Sequence, residues 1–257
     1  MKQIALLITA ALISGQALAD GNTYIRNGNI YIHEGSYFAG AGVATGSKFY
    51  KGQDHQSGVY LNGGYHGEDF NADLGGINYR FYGNNDSQMN FSVFAVATPG
   101  IDSGDADILK GMEDKDWGAE LGLNADVHFA QGTLSTKFQH DVTGTHKGYQ
   151  ADLTYFHPLT LGFGDLVPFA GVHYASKDYV NYYTGVKASE ATPGRRAYKA
   201  DGEFSYHAGY QLVVPISKHL DIVHGAAYTR LGNEFGHSPL VDSKNQWVTT
   251  LGMTYTF

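Results

Sequence analysis

The sequence predicts an all-β transmembrane barrel, an antiparallel up-and-down sheet of about twelve strands with ten as the alternative. Three observations predict it. First, the closing segment alternates: Trp247, Leu251, Met253, Tyr255 and Phe257 share one parity, broken only by Thr249. The other parity is polar or small apart from Val248, so the strand has one greasy face and one wet face. With Trp247 at one end of that face and Tyr255 and Phe257 at the other, this is the pattern of an outer-membrane closing strand. Second, segments of the length a tilted membrane strand needs, roughly ten residues, recur along the chain. Third, tight turns alternate with long loops, as they do between the periplasmic and external ends of such barrels.

In chain order, Lys2 precedes an apolar run from Ile4 to Ile13, then Ala17-Leu18-Ala19, an A-x-A cleavage pattern. The run is too short to span a bilayer. Residues 1–19 therefore read as a secretory signal peptide, cleaved between Ala19 and Asp20, and residues 20–257 as one barrel domain. With no Cys in the chain, lipid attachment after cleavage, disulfides and thiolate metal sites are all excluded.

Tyr24–His33 carries only a weak strand pattern. Tyr37–Thr45 and Val59–His66 alternate better. Phe70–Phe81 changes phase: Phe70, Ala72 and Leu74 share one parity, and Ile77, Tyr79 and Phe81 take the other. Each half is too short to cross an apolar band of about 25 Å, so a β-bulge is expected at Gly75-Gly76. Met89–Thr98, Trp117–Phe129, Leu134–Val142, Tyr149–His157, Val167–Tyr174, Phe204–Ile216 and Leu220–Tyr228 complete the run to the closing strand. Eleven spans from Tyr37 to Phe257 leave an odd count where an even one is expected, and Tyr24–His33 is the place to seek the twelfth.

Tight connections fall near Ala130-Gln131, Gly162-Phe163-Gly164 and Ser217-Lys218-His219. Long ones occupy Pro99–Asp116, Lys177–Gly202 and Gly232–Asn245. If Phe257 ends in the periplasm, counting backward puts all three long loops outside the cell.

A mean hydropathy of −0.28 would place the chain among soluble proteins, but alternating faces average to mild polarity in any membrane barrel. A net charge of −8 argues against nucleic acid, whose phosphates need a basic surface.

The wet parity supplies candidate lumen residues: Glu120, Asn124, Asp126, Lys137, Gln139, Asp141, Glu203, His207 and Gln211. His224 intrudes on a greasy face. The histidines are scattered, without helical i, i+4 spacing, and read as ordinary lumen or interface residues rather than metal ligands. No G-x-S-x-G, P-loop or H-E-x-x-H motif occurs, so neither an enzyme nor a cofactor is expected. The acidic loop Asp102–Asp116 lacks the order of a calcium loop and reads as solvated. In Lys177–Gly202, the cations Lys187, Arg195 and Arg196 either face lipopolysaccharide phosphates or pair internally. Tyr182, Tyr183 and Tyr198 in the same loop are expected to fold inward over the mouth, with recognition of a surface partner as the alternative.

Asn181-Tyr182-Tyr183-Thr184-Gly185-Val186, Ser189-Glu190-Ala191 and Ala197-Tyr198 resemble a signature of the MipA/OmpV family. So do Tyr228-Thr229-Arg230-Leu231 and Ser238-Pro239-Leu240-Val241-Asp242, which lead into the closing strand. Asp69–Leu74 and Asp107–Met112 look like the OmpV branch known from vibrios. The resemblance spans essentially the whole mature chain, with Thr184 standing where many relatives carry a third aromatic. It implies a non-enzymatic outer-membrane protein, inserted by the barrel assembly machinery through its C-terminal aromatic signal and seated in outer-membrane lipid and lipopolysaccharide. One member is described as a scaffold joining a lytic transglycosylase to a peptidoglycan synthase, and others as surface antigens or adhesins. A small-solute channel is the further alternative, although small barrels are commonly filled by their own side chains.

Overall fold

A computed structural model describes residues 23–31, 33–54 and 56–257; the expected signal peptide, with Ala17, Ala19 and Asp20, lies outside the described residues. The first elements, β1 (Tyr24–Arg26) and β2 (Asn29–Tyr31), form a two-stranded hairpin separate from the main sheet. The wall then runs through β3 (Ser36–Gly46), β4 (Gln56–His66), β5 (Phe70–Asp73), β6 (Gly76–Tyr82), β7 (Met89–Thr98) and β8 (Gly118–Phe129). It continues through β9 (Gly132–Asp141), β10 (Tyr149–Phe156), β11 (Leu159–Leu161), β12 (Gly164–Ala175), β13 (Glu203–Pro215), β14 (Leu220–Arg230) and β15 (Asn245–Thr256).

All pairings are antiparallel. β15 pairs with β3, Leu251 opposite Val43 and Tyr255 opposite Ala39, so the closing strand meets the first strand of the wall. β10 and β11 both pair with β12 and are one strand interrupted at His157-Pro158. The thirteen segments of the sheet are therefore twelve barrel strands (thirteen less the one interruption), and the sheet is closed.

The twelfth strand does not come from where the sequence pointed. Among the described residues, Tyr24–Tyr31 forms its own two-stranded sheet and contributes no strand to the wall. Instead Phe70–Phe81 folds as a hairpin, β5 pairing with β6 from Phe70↔Tyr79 to Asp73↔Gly76. The bulge expected at Gly75-Gly76 is a turn. The Asp73 carboxylate accepts the Gly75 N–H at 2.6 Å, and Gly76 takes φ +128°, which few other residues adopt. A register shift does occur nearby, between Arg80 and Tyr82 on β6. This pair of strands need not span the apolar band, because it stops part-way up the wall.

Elsewhere the greasy parity faces outward, as alternation requires, with Val43, Leu121, Leu123, Leu251 and Met253 exposed in a band. Tyr149, Tyr174 and Phe204 form one aromatic row, ring centroids 6.0 and 4.9 Å apart, near the external rim. Tyr37 with Tyr65, and Tyr255 with Phe257, mark the opposite rim at 4.9 and 5.2 Å. The polar intruders on the outer face answer each other. Thr249 Oγ lies 3.3 Å from His224 Nε2 and donates to the Gly225 carbonyl at 3.0 Å, while Tyr210 stacks on His224.

Candidate functional site

The hairpin β1–β2 sits inside the barrel. Asn27 and Gly28 at its tip have φ of 50° and 57°, the positive values at both central positions that define a type I′ turn. Its apolar side chains Ile25 and Ile30 pack on Phe156, Val167, Phe169, Ala227 and Val248, which project inward from the wall. That contact explains why Val248 breaks the polar parity of the closing strand.

Polar anchors fix the rest of the hairpin. The fully buried Asp126 accepts the Asn27 N–H at 2.6 Å and the Gly28 N–H at 3.3 Å. Asp165 accepts the Thr23 hydroxyl at 2.6 Å, and Asp221 lies 3.3 Å from His33 Nε2. Arg26 donates to the Gly67 carbonyl at 2.7 Å and to Asn85 Oδ1 at 2.6 Å, while Asn78 donates to the Tyr31 hydroxyl at 2.7 Å. Since β8, β12 and β14 supply the three aspartates, the plug is tied to well-separated parts of the wall.

Between plug and external mouth lies a cavity of about 450 Å³, with Glu120, Lys137, Gln139 and His207 among its lining residues. The Glu120 carboxylate is fully buried. It accepts from Gln139 and, at 2.9 Å, from Gln150, and His146 Nε2 lies 3.1 Å away. The Gly148 N–H donates to His146 Nδ1, which leaves the proton on the nitrogen facing Glu120. Across the cavity, Asp152 accepts the Thr154 hydroxyl at 2.5 Å and stands 3.7 and 3.9 Å from His173 and His207. Lys137 reaches Asn29 of the plug at 3.4 Å and lies over the Phe94 ring.

The other lumen candidates have different tasks. Asn124 is buried and donates to Ser135 at 2.7 Å. Asp141 shapes the external turn after β9, accepting the N–H groups of Thr143, Gly144, His146 and Lys147. Glu203 sits at the rim and accepts the Glu234 N–H at 2.8 Å. Gln211 is buried on the inner face of β13. No grouping of His, Asp and Glu among the described residues is arranged to hold a metal ion.

Above the cavity the long loops build a small core of their own. Helices α1 (Lys177–Thr184) and α2 (Asn233–Gly236) bring Val180, Tyr183 and Phe235 against Tyr50, Leu109 and Leu240. Tyr50 donates to the Tyr183 carbonyl at 2.9 Å, and Ser238 to the Thr184 carbonyl at 2.6 Å. Arg195 is buried and spends its guanidinium on the backbone carbonyls of Glu190, Ile108 and Lys110. Tyr182 accepts the Asp116 N–H at 2.7 Å, and Tyr198 donates to the Glu234 carbonyl at 2.6 Å. Burial, reinforced by the Glu234 carboxylate, pushes the Tyr198 hydroxyl up to about 12. Burial would also raise Glu190, but the N–H groups of Lys187 and Glu113 outweigh it and hold that carboxyl below its ordinary range. Lys187 pairs with Glu113, and Arg196 stays exposed with one long contact to the His237 carbonyl. Of the loop residues singled out from sequence, Tyr182, Tyr183, Arg195 and Tyr198 thus work within the cap.

A profile described as MltA-interacting protein MipA matches residues 39–257. Over 258 residues, spanning all of both chains, the sequence is 51% identical to Outer membrane protein OmpV of Vibrio cholerae. The chain belongs to the MipA/OmpV family. Outer membrane protein Omp26La of Vibrio anguillarum is 49% identical, again over the full length of both chains. The MltA-interacting protein of Escherichia coli is 30% identical over 234 residues, covering 87% of this chain and 91% of that one. Membership, the closed sheet and its aromatic rims place this family member in the outer membrane as a β-barrel. The matched segment begins at Ala39, so the plug hairpin lies ahead of it. The plug was nonetheless legible: Asn-Gly between short apolar pairs is the strongest local hairpin signal a sequence carries.

Proposed function

We propose that this chain is a non-enzymatic scaffold of the cell envelope, an outer-membrane platform that engages peptidoglycan-processing enzymes from its periplasmic rim. The observation that carries the reading is closure at both ends of the barrel axis. A hairpin anchored by Asp126, Asp165 and Asp221 crosses the lumen above an open periplasmic recess of about 660 Å³, and a packed apolar cap covers the external mouth. Such a barrel is poorly suited to axial solute flow and offers rigid rims instead. The likeness to an MltA-interacting protein supports a protein partner, and the family's described scaffold member makes a lytic transglycosylase with its peptidoglycan synthase the partner class we propose. The exposed residues of the 83–88 turn and the 216–219 turn are the surfaces within reach of such a partner.

Photo-crosslinkers at Asp86 and Lys218 in intact envelopes test this. Recovery of a lytic transglycosylase or a peptidoglycan synthase is expected, and recovery of neither would overturn the scaffold reading. In planar bilayers the purified protein is expected to be silent; steady single-channel steps would favour a pore.

A further inference from the structure

The wall of the barrel is incomplete in its external half. Because the β5–β6 hairpin turns at Leu74-Gly75, β4 has a partner on that side only at Tyr65 and His66. β7 is paired to β6 only as far as Ala95. Among the described residues, no strand pairs with Gln56–Leu61 on the side away from β3, nor with Val96–Thr98 on the side away from β8. The gap is framed rather than frayed. Overhead, Gln53 bridges to Ala106, and the N–H groups of Asp107 and Ile108 donate to the carbonyls of Gly52 and Lys51 at 3.3 Å. Underneath, the hairpin is wedged tightly: a Cβ on Gly64 would lie 2.0 Å from the Ala72 carbonyl oxygen.

Register gives the depth of this opening. Val59 and Leu61, 75% and 69% exposed, stand opposite Val43 and Ala41. Those residues stand opposite Leu251 and Met253, which fall between Trp247 and Tyr255 of the closing strand. The frame therefore faces bilayer hydrocarbon, not water. An unpaired sheet edge is not tolerated against lipid and persists at this depth only where it borders a cavity or other protein. The lumen cavity opens onto the frame along its lower and β7 sides, its lining reaching Leu74, Gly76, Ile77 and Val96 and running inward to Phe94 and Phe169. The ring of Tyr60 leans away from the frame, over Gly42 and Gly252.

We propose that the gap is a lateral portal through which an uncharged, largely apolar small molecule passes between outer-membrane hydrocarbon and the lumen cavity. The volume of about 450 Å³ lies within the range of small-molecule pockets. Asp73, Glu120 and Asp152 outnumber Lys137 in the lining, which disfavours an anionic head group. Hydrocarbon at the frame disfavours a cation. Plug and cap obstruct the axial routes, so the membrane side is the open approach. The inference is independent of any periplasmic partner.

The test uses the full-length protein in lipid vesicles with an uncharged aryl diazirine dissolved in the bilayer, and peptide mapping of the adducts. Labelling of the inward-facing Phe94 and Phe169 is expected, beside labelling of outward-facing Leu121 and Leu251. A sulfonated analogue supplied from water is expected to leave Phe94 and Phe169 unlabelled. A four-residue insertion between Leu74 and Gly75, which lengthens the hairpin to meet β4 and β7, should abolish inner labelling and spare outer labelling. Val96→Trp, which fills the frame with less disturbance, should do the same; heat-modifiable gel migration checks that both variants fold. Absence of inner adducts in the unaltered protein would overturn the proposal. So would inner labelling that survives in folded variants of both kinds, or equal inner labelling by the sulfonated analogue.

Discussion

Replacing Asp126 by Ala removes the anchor at the tip of the plug. Its carboxylate accepts two backbone N–H groups, from Asn27 at 2.6 Å and Gly28 at 3.3 Å, inside a site closed to water. A hydrogen bond to a charged group contributes about 1.5–3 kcal/mol; taking the lower figure for each, because one is long, gives about 3 kcal/mol. At 1.4 kcal/mol per tenfold, the tip of the hairpin should open roughly a hundredfold more often. Other anchors, Thr23 to Asp165, Arg26 to Gly67 and His33 to Asp221 among them, do not involve this carboxylate, so the opening is local and the wall stays folded. Hydrogen exchange of the 23–31 peptide, read by mass spectrometry on protein in bilayers, measures it directly. Asp126→Asn, which keeps an acceptor but not the charge, should fall between. Unchanged protection in a correctly migrating Asp126→Ala barrel would refute the idea that this carboxylate holds the plug.

The cap yields further expectations. Arg195→Ala leaves the carbonyls of Glu190, Ile108 and Lys110 without their donor and should cost the cap roughly 3–5 kcal/mol, loosening the backbone around Lys110 and Lys115 so that trypsin cuts there faster. Lys at this position should rescue little, since one ammonium cannot span the same carbonyls. Tyr198 has a raised folded value, so its contribution is complete below the ordinary tyrosine value of about 10 and is lost as pH rises through about 12. A nitroxide at Ser189 should therefore become mobile over that interval, and Tyr198→Phe should weaken the dependence. Glu190 has a depressed folded value, so its contribution is present above the ordinary glutamate value of about 4.3 and is lost as pH falls through the lower one. Glu190→Gln should flatten the acid limb seen by the same nitroxide.

Much of the barrel was readable because alternation is a local property. Each outward-facing residue of β8 or β15 declares its face without reference to any partner. The exceptions were readable too, but not interpretable. Thr249 and His224 looked like separate faults in two strands until register placed them in contact, and Val248 looked misplaced until the plug lay against it. The short hairpin at Leu74-Gly75 was not legible, because strand length identifies only strands that cross the membrane and this pair stops short of it. Parity alone does not distinguish Gln139, which borders the cavity, from Asp141, which is consumed by its own turn. Arg195 and Tyr198 offered no local sign that their partners were backbone carbonyls from other loops.

The three aspartates that hold the hairpin bear on how the molecule is put together. Asp126, Asp165 and Asp221 lie far apart in sequence, and only a sheet joined into a ring of the right circumference gathers them around one small object. A ring short of one strand, or slipped in register at the seam between the first and last wall strands, would leave at least one of these carboxylates buried without its partner. The hairpin therefore acts as a gauge of circumference. It comes from the stretch of chain just ahead of the wall, so it is at hand when the seam closes, and it rewards only the closure that fits.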